Sequence, residues 1–292
     1  MVIPRDLEKR LDSINKLPTL PTVIENLGRA LRDPEIQASR IAEIIEDDPA
    51  IMARIMKVVN SSFYLGSEKA GSLKSAIVRL GFQAVSNIAM SAAVFSTFPP
   101  GSKTPFNRVE FWRHCICTGV AADIVHHAMP ESSGSRILLS RDRLHLCGLL
   151  HDIGKIIFEQ FFHDQFVSAI HISQRENIFL ADAEKRVIGI DHAQAGAWLA
   201  KKWNLSESLI EVIRWHHEPE RTSMDYRYLV NICRLADLLV NASHLGDGGN
   251  NLCLDMNDTC REFDLEAEQL VSLVDSVKAG AQNSTLLISF LQ

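Results

Sequence analysis

The stretch LHLCGLLHDIGKIIFEQFF spans residues 144–162 and has the apolar content and spacing of a buried helix. It nevertheless places His151, Asp152 and Lys155 close together along the chain. Burying an imidazole, a carboxylate and an ammonium group costs several kcal/mol unless the groups are paired or bind a metal ion. The rest of the chain must therefore supply either partners for these side chains or the other ligands of a metal.

The same helical periodicity dominates the whole chain. Apolar residues recur about every 3.6 residues and almost nowhere alternate, which predicts an all-α fold. The prolines and glycine of PPGSKTPFN indicate a linker at 99–107, between an N-terminal helical lobe at 1–98 and a C-terminal helical lobe at 108–243. Residues 244–292 are predicted as loop, helix and tail. Within the C-terminal lobe we predict one continuous helix over 142–161.

Composition narrows the class of protein. With 292 residues, 46% of them hydrophobic, the chain can bury a sizeable core. The formal net charge of −6 gives no bulk electrostatic reason to expect binding to nucleic acid or to an anionic membrane. No apolar run approaches the roughly 18 to 20 residues of a membrane span, and the N-terminus lacks the apolar core of a secretion signal. Most of the cysteines lie in apolar helical runs, so we expect buried thiols and a reducing cytoplasm.

Ligand-type side chains recur in the C-terminal lobe. The candidate metal ligands are Glu110, His114, His151, Asp152, His192, His216, His217 and Asp237. Neutral imidazoles and ionised carboxylates are ligands of divalent first-row metals, and a dication compensates the buried charge of its carboxylates. Asp152 is the candidate for a carboxylate that bridges two metal ions, with Glu110 and His114 on one face of a helix. Lys155, one turn after Asp152, could stabilise phosphoryl charge.

Each candidate also has an ordinary structural explanation. Glu110 and His114 could form a solvated pair on a helix surface, and the adjacent histidines of WHHEP could lie at a helix C-terminus. Asp237 could be hydrogen-bonded to an arginine, and Lys155 could extend to the surface. The joint occurrence favours a metal site over these separate explanations. The glycine-rich GDGG at 246–249 lacks the acidic spacing of a calcium loop and is assigned no function.

An ordered series of motifs resembles the HDOD domain family. The N-terminal motifs are LPTLPTVIENL (17–27), DDPAIMARIMKVVNSSFYLG (47–66) and SLKSAIVRLGFQAVSNIAMS (72–91). The second half resembles the related HD phosphohydrolase fold through GLLHDIGK (148–155), DHAQAGAWLAKKW (191–203), VIRWHHEP (212–219) and RLADLLV (234–240). The resemblance implies an all-helical fold with an HD-like C-terminal lobe, in a bacterial signalling protein. Members of the family usually act as regulatory or interaction modules without demonstrated catalysis.

The resemblance also implies a metal centre. The HD pattern is present as His114, His151 with Asp152, and Asp237, although many HDOD domains look as though they have lost it. The remaining candidate ligands are similar to the extra ligands of HD-GYP phosphodiesterases, and Lys155 matches the lysine of their HDxGK motif. They imply a centre of two or more divalent ions, namely iron, manganese or zinc. The GYP motif itself is missing, because EPERTSMDYRYL follows His217.

Three hypotheses remain open from the sequence. The first is a signalling module that retains the metal centre and contacts a partner protein through its N-terminal lobe. The second is a metal-dependent phosphohydrolase, either a phosphodiesterase or a nucleotide hydrolase, with Asp152 and Lys155 as catalytic residues and a nucleotide or phosphate ligand. The third is a redox or oxygen sensor with a di-iron centre.

Overall fold

A computed structural model describes residues 11–12, 14, 22–30, 33, 35–60, 70–98, 105–129, 139–249 and 257–289. These ranges form helices joined by turns and contain no strand, which confirms the predicted all-α fold. None of the helices in these ranges is both long and apolar enough to cross a membrane. Most of the helix predicted at 5–15, most of the linker predicted at 99–107, and much of the loops predicted at 60–72 and 129–142 lie outside the described residues.

The N-terminal lobe is built around its last helix. Its helices are α1 (Thr22–Ala30), α2 (Ala38–Glu46), α3 (Pro49–Val59), α4 (Leu73–Leu80) and α5 (Phe82–Thr97). α5 packs against α1, α3 and α4, and it buries apolar side chains around its whole circumference, as expected for a helix enclosed by others. α3 begins as the sequence indicates, because the Asp48 carboxylate accepts hydrogen bonds from the backbone N–H groups of Ala50 and Ile51, and Pro49 follows it.

The C-terminal lobe surrounds one long helix. The helices are α6 (Arg108–Ala128), α7 (Arg141–Leu150), α8 (Gly154–Phe161), α9 (His163–Glu176), α10 (Leu180–Val187), α11 (His192–Lys202), α12 (Glu207–Trp215) and α13 (Met224–Ala242), with a 3₁₀ turn at Pro219–Arg221. The chain after residue 243 adds α14 (Asn257–Glu262) and α15 (Ala267–Ser289). α7, α13 and α15 pack around α6, while α8 packs on α11 and α12 packs on both α11 and α13. The periodicity predicts a last helix near 264–279, and the helix instead continues to Ser289.

The predicted continuous helix over 142–161 is wrong, because the backbone between residues 150 and 154 forms a tighter turn that separates two helices. α7 ends at Leu150 and α8 begins at Gly154. Across this junction the backbone bonds are of the i to i−3 type, including those from Ile153 to Leu150 and from Lys155 to Asp152. The helical periodicity hides the break, since the backbone stays in the right-handed helical region on both sides of it. Asp152 therefore lies at the point where two helices meet.

One buried hydrogen bond links the two lobes at α5 and α7. The Ser91 hydroxyl and His145 Nε2 are 3.1 Å apart, and both side chains are buried. Burial lowers the pKa of His145 to about 4, so its imidazole is neutral near pH 7. α7 therefore contacts the N-terminal lobe at His145 and leads directly into the junction that holds His151 and Asp152.

The glycine of the HDIGK sequence allows α8 to touch α11. A Cβ atom added to Gly154 would lie 1.9 Å from the carbonyl oxygen of His192 and 2.7 Å from the backbone nitrogen of Gly196. No larger residue fits without moving the backbone of one helix. This contact brings Asp152, just before α8, close to His192, the first residue of α11.

We expect Gly154→Ala to reduce the free energy of unfolding by about 1–3 kcal/mol, because the new methyl group collides with backbone atoms. A decrease would be informative, because replacing glycine by alanine inside a helix otherwise raises the free energy of unfolding by roughly 0.5–1 kcal/mol. Urea denaturation followed by circular dichroism measures the change. Gly71→Ala is the control, because a Cβ there meets no atom within 4 Å. A Gly154→Ala protein as stable as the control would contradict this packing.

Candidate metal centre

The structure brings together all the predicted metal ligands except Glu110. They come from separate elements: His114 from α6, His151 and Asp152 from the α7–α8 junction, His192 from α11, His216 and His217 from the end of α12, and Asp237 from α13. All but the half-buried His217 are buried. Residues more than a hundred positions apart in the sequence therefore meet around Asp152.

The first group of ligand atoms lies on the Oδ2 side of Asp152. His151 Nε2 is 3.3 Å from that oxygen, and His114 Nε2 is 3.8 Å from it. The two imidazole nitrogens are 3.4 Å apart. Asp237 completes this side, because its Oδ1 is 3.0 Å from His114 Nε2 and also accepts a hydrogen bond of 2.8 Å from Asn241. Asp237 thus has an asparagine and histidines as neighbours, and no arginine of the described ranges donates a hydrogen bond to it.

The second group lies on the Oδ1 side of the same carboxylate. His192 Nε2 is 3.0 Å from Asp152 Oδ1, and His216 Nε2 is 3.4 Å from it. His217 joins this group through its Nε2, which is 2.9 Å from that of His192. The two oxygens of Asp152 therefore face two different sets of imidazoles, as a carboxylate that bridges two metal ions would.

The donor set fits divalent cations. Two ligands each about 2.1 Å from one ion lie about 3 to 3.5 Å apart, which is close to most of the separations within each group. Among the described residues, Asp152 Oδ1 and His216 Nε2 are buried and form no hydrogen bond. Buried polar atoms without partners are rare, and these two face each other across the second group. Each group could therefore hold one divalent first-row metal ion, with Asp152 shared.

Hydrogen bonds to the far side of the rings aim the imidazoles inward. His151 Nδ1 lies 2.8 Å from the carbonyl oxygen of Gly148, and His216 Nδ1 lies 3.0 Å from that of Ile213. In each case a helix C-terminus supplies the acceptor three residues earlier. With the proton on Nδ1, the Nε2 lone pair points to the centre, as a metal ligand requires.

Glu184 orients the third ring and is a residue that the sequence reasoning missed. Its Oε2 accepts hydrogen bonds from the backbone N–H of His192 at 2.8 Å and from Nδ1 of the same residue at 2.7 Å. The Glu184 side chain is fully buried. A signal existed in the sequence, because Glu184 lies on the face of α10 that also carries Leu180 and Ala183, where an apolar residue is expected.

The carboxylates dominate the electrostatics of the centre. Burial by itself would lower the pKa of His151, but Asp152 and Asp237 outweigh it and raise that pKa to about 10. Burial likewise opposes the charged form of His192, and Glu184 with Asp152 raises its pKa to about 9. Burial would raise the pKa of Asp152, yet the surrounding cationic groups hold it well below its usual value. The centre is therefore a buried anionic site that favours positive charge.

Glu110 is the predicted ligand that the structure does not bring to the centre. Its carboxylate is about one-third exposed and lies 3.3 Å from the guanidinium of Arg113, one turn further along α6. The four-residue spacing to His114 predicts a shared helix face, but it does not show which way the side chain extends. The carboxylate pairs with Arg113 and belongs to neither group of ligand atoms, so the role of Glu110 as a ligand stays a prediction.

Lys155 is buried and does not extend to the surface. Its ammonium group donates to Asp152 Oδ2 at 2.5 Å and to the carbonyl oxygen of Gly248 at 2.6 Å. Gly248 belongs to the GDGG sequence to which the sequence reasoning assigned no function. A buried lysine with these partners remains charged, because burial lowers its pKa but Asp152 more than compensates and raises it.

Comparison with known proteins identifies the family. The model of the HDOD domain matches residues 17–219, which is more than half of the chain, and the chain therefore belongs to the HDOD family. An uncharacterized protein of Treponema pallidum (strain Nichols) is 26% identical in an alignment of 250 residues, which covers 82% of this chain and 47% of the relative. The chain thus spans about half the length of the curated relative that it matches.

Solved structures share the fold. A structure from Marinobacter aquaeolei VT8, provisionally named a signal transduction protein, superposes with a TM-score of 0.81 and 21% identity over 98% of this chain and 65% of its own. A structure from Shewanella amazonensis SB2B, provisionally named a phosphohydrolase, gives a TM-score of 0.70 and 20% identity over 98% of both chains. At these identities the similarity establishes the fold alone.

We expect Glu184→Ala to lower the free energy of unfolding by about 2 kcal/mol or more when a chelator keeps the protein metal-free, because two buried N–H donors of His192 lose their acceptor. Glu184→Gln keeps an oxygen acceptor and should lose less than half as much. The exposed Glu262→Ala is the control, with a change within about 0.5 kcal/mol. Urea denaturation measures the free energy of unfolding of the three variants. Equal stability of all three would contradict a positioning role for Glu184.

Proposed function

We propose that this chain is a bacterial signalling module of the HDOD family that binds two or more divalent metal ions and has a regulatory role. Its C-terminal lobe would hold the ions through His114, His151, Asp152, His192, His216, His217 and Asp237. Its N-terminal lobe would provide the surface for a partner protein. The candidate metals are iron, manganese and zinc, because mixed imidazole and carboxylate ligands suit these ions.

One observation supports the metal centre above the others. Asp152 is buried with its two oxygens facing separate groups of imidazoles, and its Oδ1 has no hydrogen bond in the described part of the chain. A buried carboxylate normally finds hydrogen-bond donors for both oxygens. A cation beside each oxygen would compensate the buried negative charge and satisfy the orphaned atom.

A regulatory role is favoured by the surroundings of the centre. The family match covers most of the chain, and the GYP motif of the related phosphodiesterases is missing after His217. Lys155, the residue suited to bind a phosphoryl group, already donates to Asp152 and to the backbone of Gly248. α7 also links the centre to the N-terminal lobe through His145 and Ser91, so a change at His151 could reach a partner bound to that lobe.

Elemental analysis of the full chain, purified from metal-replete cells, tests the centre. We expect about two equivalents of iron, manganese or zinc per chain, one for each group that shares Asp152. Asp152→Ala should lose both ions, because it removes the shared ligand. His217→Ala should retain the ion of the group formed with His114 and lose the other. His171→Ala is the control, since His171 is an exposed histidine outside both groups.

The metal proposal is contradicted if the folded wild-type chain refuses iron, manganese and zinc after anaerobic loading. It is also contradicted if Asp152→Ala binds as much metal as His171→Ala does. Circular dichroism of each variant distinguishes loss of metal from loss of fold.

The second candidate function is metal-dependent phosphodiester hydrolysis. It is favoured by the contact of Lys155 with Asp152, which places an ammonium group 2.5 Å from the carboxylate shared by both ligand groups. Such an arrangement could stabilise a phosphoryl group beside two metal ions. The engagement of Lys155 by Gly248 and the missing GYP motif make it the weaker candidate.

A substrate panel separates the two functions. The chain loaded with Fe(II) or Mn(II) is incubated with cyclic dinucleotides, nucleoside triphosphates and bis(p-nitrophenyl) phosphate, and product is measured by chromatography or absorbance. We expect no turnover above that of Asp152→Ala. Metal-dependent turnover that Asp152→Ala abolishes, while His171→Ala retains it, would establish hydrolysis and overturn the purely regulatory role.

A further inference from the structure

A short backbone segment lies over one side of the centre. Residues 244–249, here termed the lid segment, follow directly after α13, the helix that supplies Asp237. The backbone N–H of Asp247 donates to the carbonyl oxygen of Glu110 at 2.9 Å, which fastens the segment to the first turn of α6. The Gly248 carbonyl accepts from Lys155 at 2.6 Å inside the centre. The segment is therefore attached at both its outer and its inner side.

Glycines allow this segment to approach so closely. A Cβ atom on Gly246 would lie 2.4 Å from the backbone nitrogen of His114 and 2.5 Å from the carbonyl oxygen of Glu110. Gly246 also has a φ of +90°, which L side chains rarely adopt. A Cβ atom on Gly248 would lie 3.1 Å from His114 Nε2, the nitrogen that faces Asp237. The GDGG sequence thus fits against the ring of His114.

The lid segment covers the centre on one side of Asp152. Gly246 and Gly248 of the lid segment meet the centre at His114 and Lys155, on the Oδ2 side of Asp152. On the opposite side the half-buried His217 is the most exposed member of its group. The two candidate metal positions therefore differ in their access to solvent, although they share one carboxylate.

We propose that residues 244–249 are a lid that closes the metal position of His114, His151 and Asp152, and that leaves the position of His192, His216 and His217 open. In the closed state the Gly248 carbonyl takes the place on Lys155 that a phosphoryl oxygen would need. Opening the lid removes the Gly248 carbonyl from that ammonium group, which keeps its contact with Asp152, and exposes the metal position of His114, His151 and Asp152. This inference rests on the proposed function, because it assigns different accessibility to the two ions of the same centre.

Zinc release from the loaded full chain tests the lid. The zinc-loaded protein is mixed with excess 4-(2-pyridylazo)resorcinol, and the absorbance of the complex reports release. We expect a fast and a slow phase for the wild type. Gly246→Ala should accelerate the slow phase by about tenfold or more, the change expected for losing one or two net hydrogen bonds of the closed segment.

Gly81→Ala is the matched control. Gly81 has a φ of +82°, like Gly246, but a Cβ there meets no atom within 4 Å and the residue lies in the N-terminal lobe. Both variants carry the same backbone strain, and only one displaces the lid segment. The proposal is overturned if the slow phase persists unchanged in Gly246→Ala, or if Gly81→Ala accelerates it equally.

Hydrogen–deuterium exchange gives a readout that needs no metal. We expect the amide of Asp247 to be protected in the wild type and in Gly81→Ala, because it donates to the Glu110 carbonyl, and to lose protection in Gly246→Ala. An unprotected amide in the wild type would overturn the lid. If the chain binds no zinc, the proposed metal function fails, and the exchange experiment alone decides whether the segment closes.

Discussion

The burial of the Asp152 carboxylate is the constraint on which the rest of the C-terminal lobe depends. An ionised carboxylate without compensation cannot remain in a protein interior, where its desolvation costs several kcal/mol. Here an ammonium group and imidazoles surround it, and one oxygen has no hydrogen bond within the part of the chain that the structure describes. Several features hold donors around this one group. They are the helices, the close contacts at glycines and the outer carboxylate of Glu184.

Close backbone contacts explain how distant parts of the sequence converge. Gly154 lets α8 touch the first turn of α11, which sets His192 beside Asp152. The tightened junction between α7 and α8 places His151 and Asp152 at a helix end, where they can face inward together. Gly246 and Gly248 likewise allow the backbone of the lid segment to lie close to His114. The motif glycines therefore matter for the approach of one backbone to another as much as for turns.

Periodicity and motif order predict the all-α fold and most of the candidate site, because apolar spacing and ligand-type residues are visible in the sequence. The break at Asp152 is hidden, since a few residues with i to i−3 hydrogen bonds keep helical dihedrals. Side-chain direction is equally invisible: the four-residue spacing to His114 predicts Glu110 as a ligand but gives no sign of the contact between its carboxylate and Arg113. The apolar face of α10 marks Glu184 as buried, but the partners of Glu184 and Gly248 lie 8 and 93 positions away in the sequence, and no local pattern identifies those partners.

The proposed centre requires cations on both sides of the Asp152 carboxylate. Anomalous X-ray diffraction from a crystal of the manganese- or iron-loaded chain, measured at the absorption edge of the metal, locates such ions. We expect two peaks about 2 to 2.5 Å from opposite oxygens of Asp152, one beside His114 and His151 and the other beside His192 and His216. Clear density for these side chains with no anomalous peak at Asp152 would contradict it.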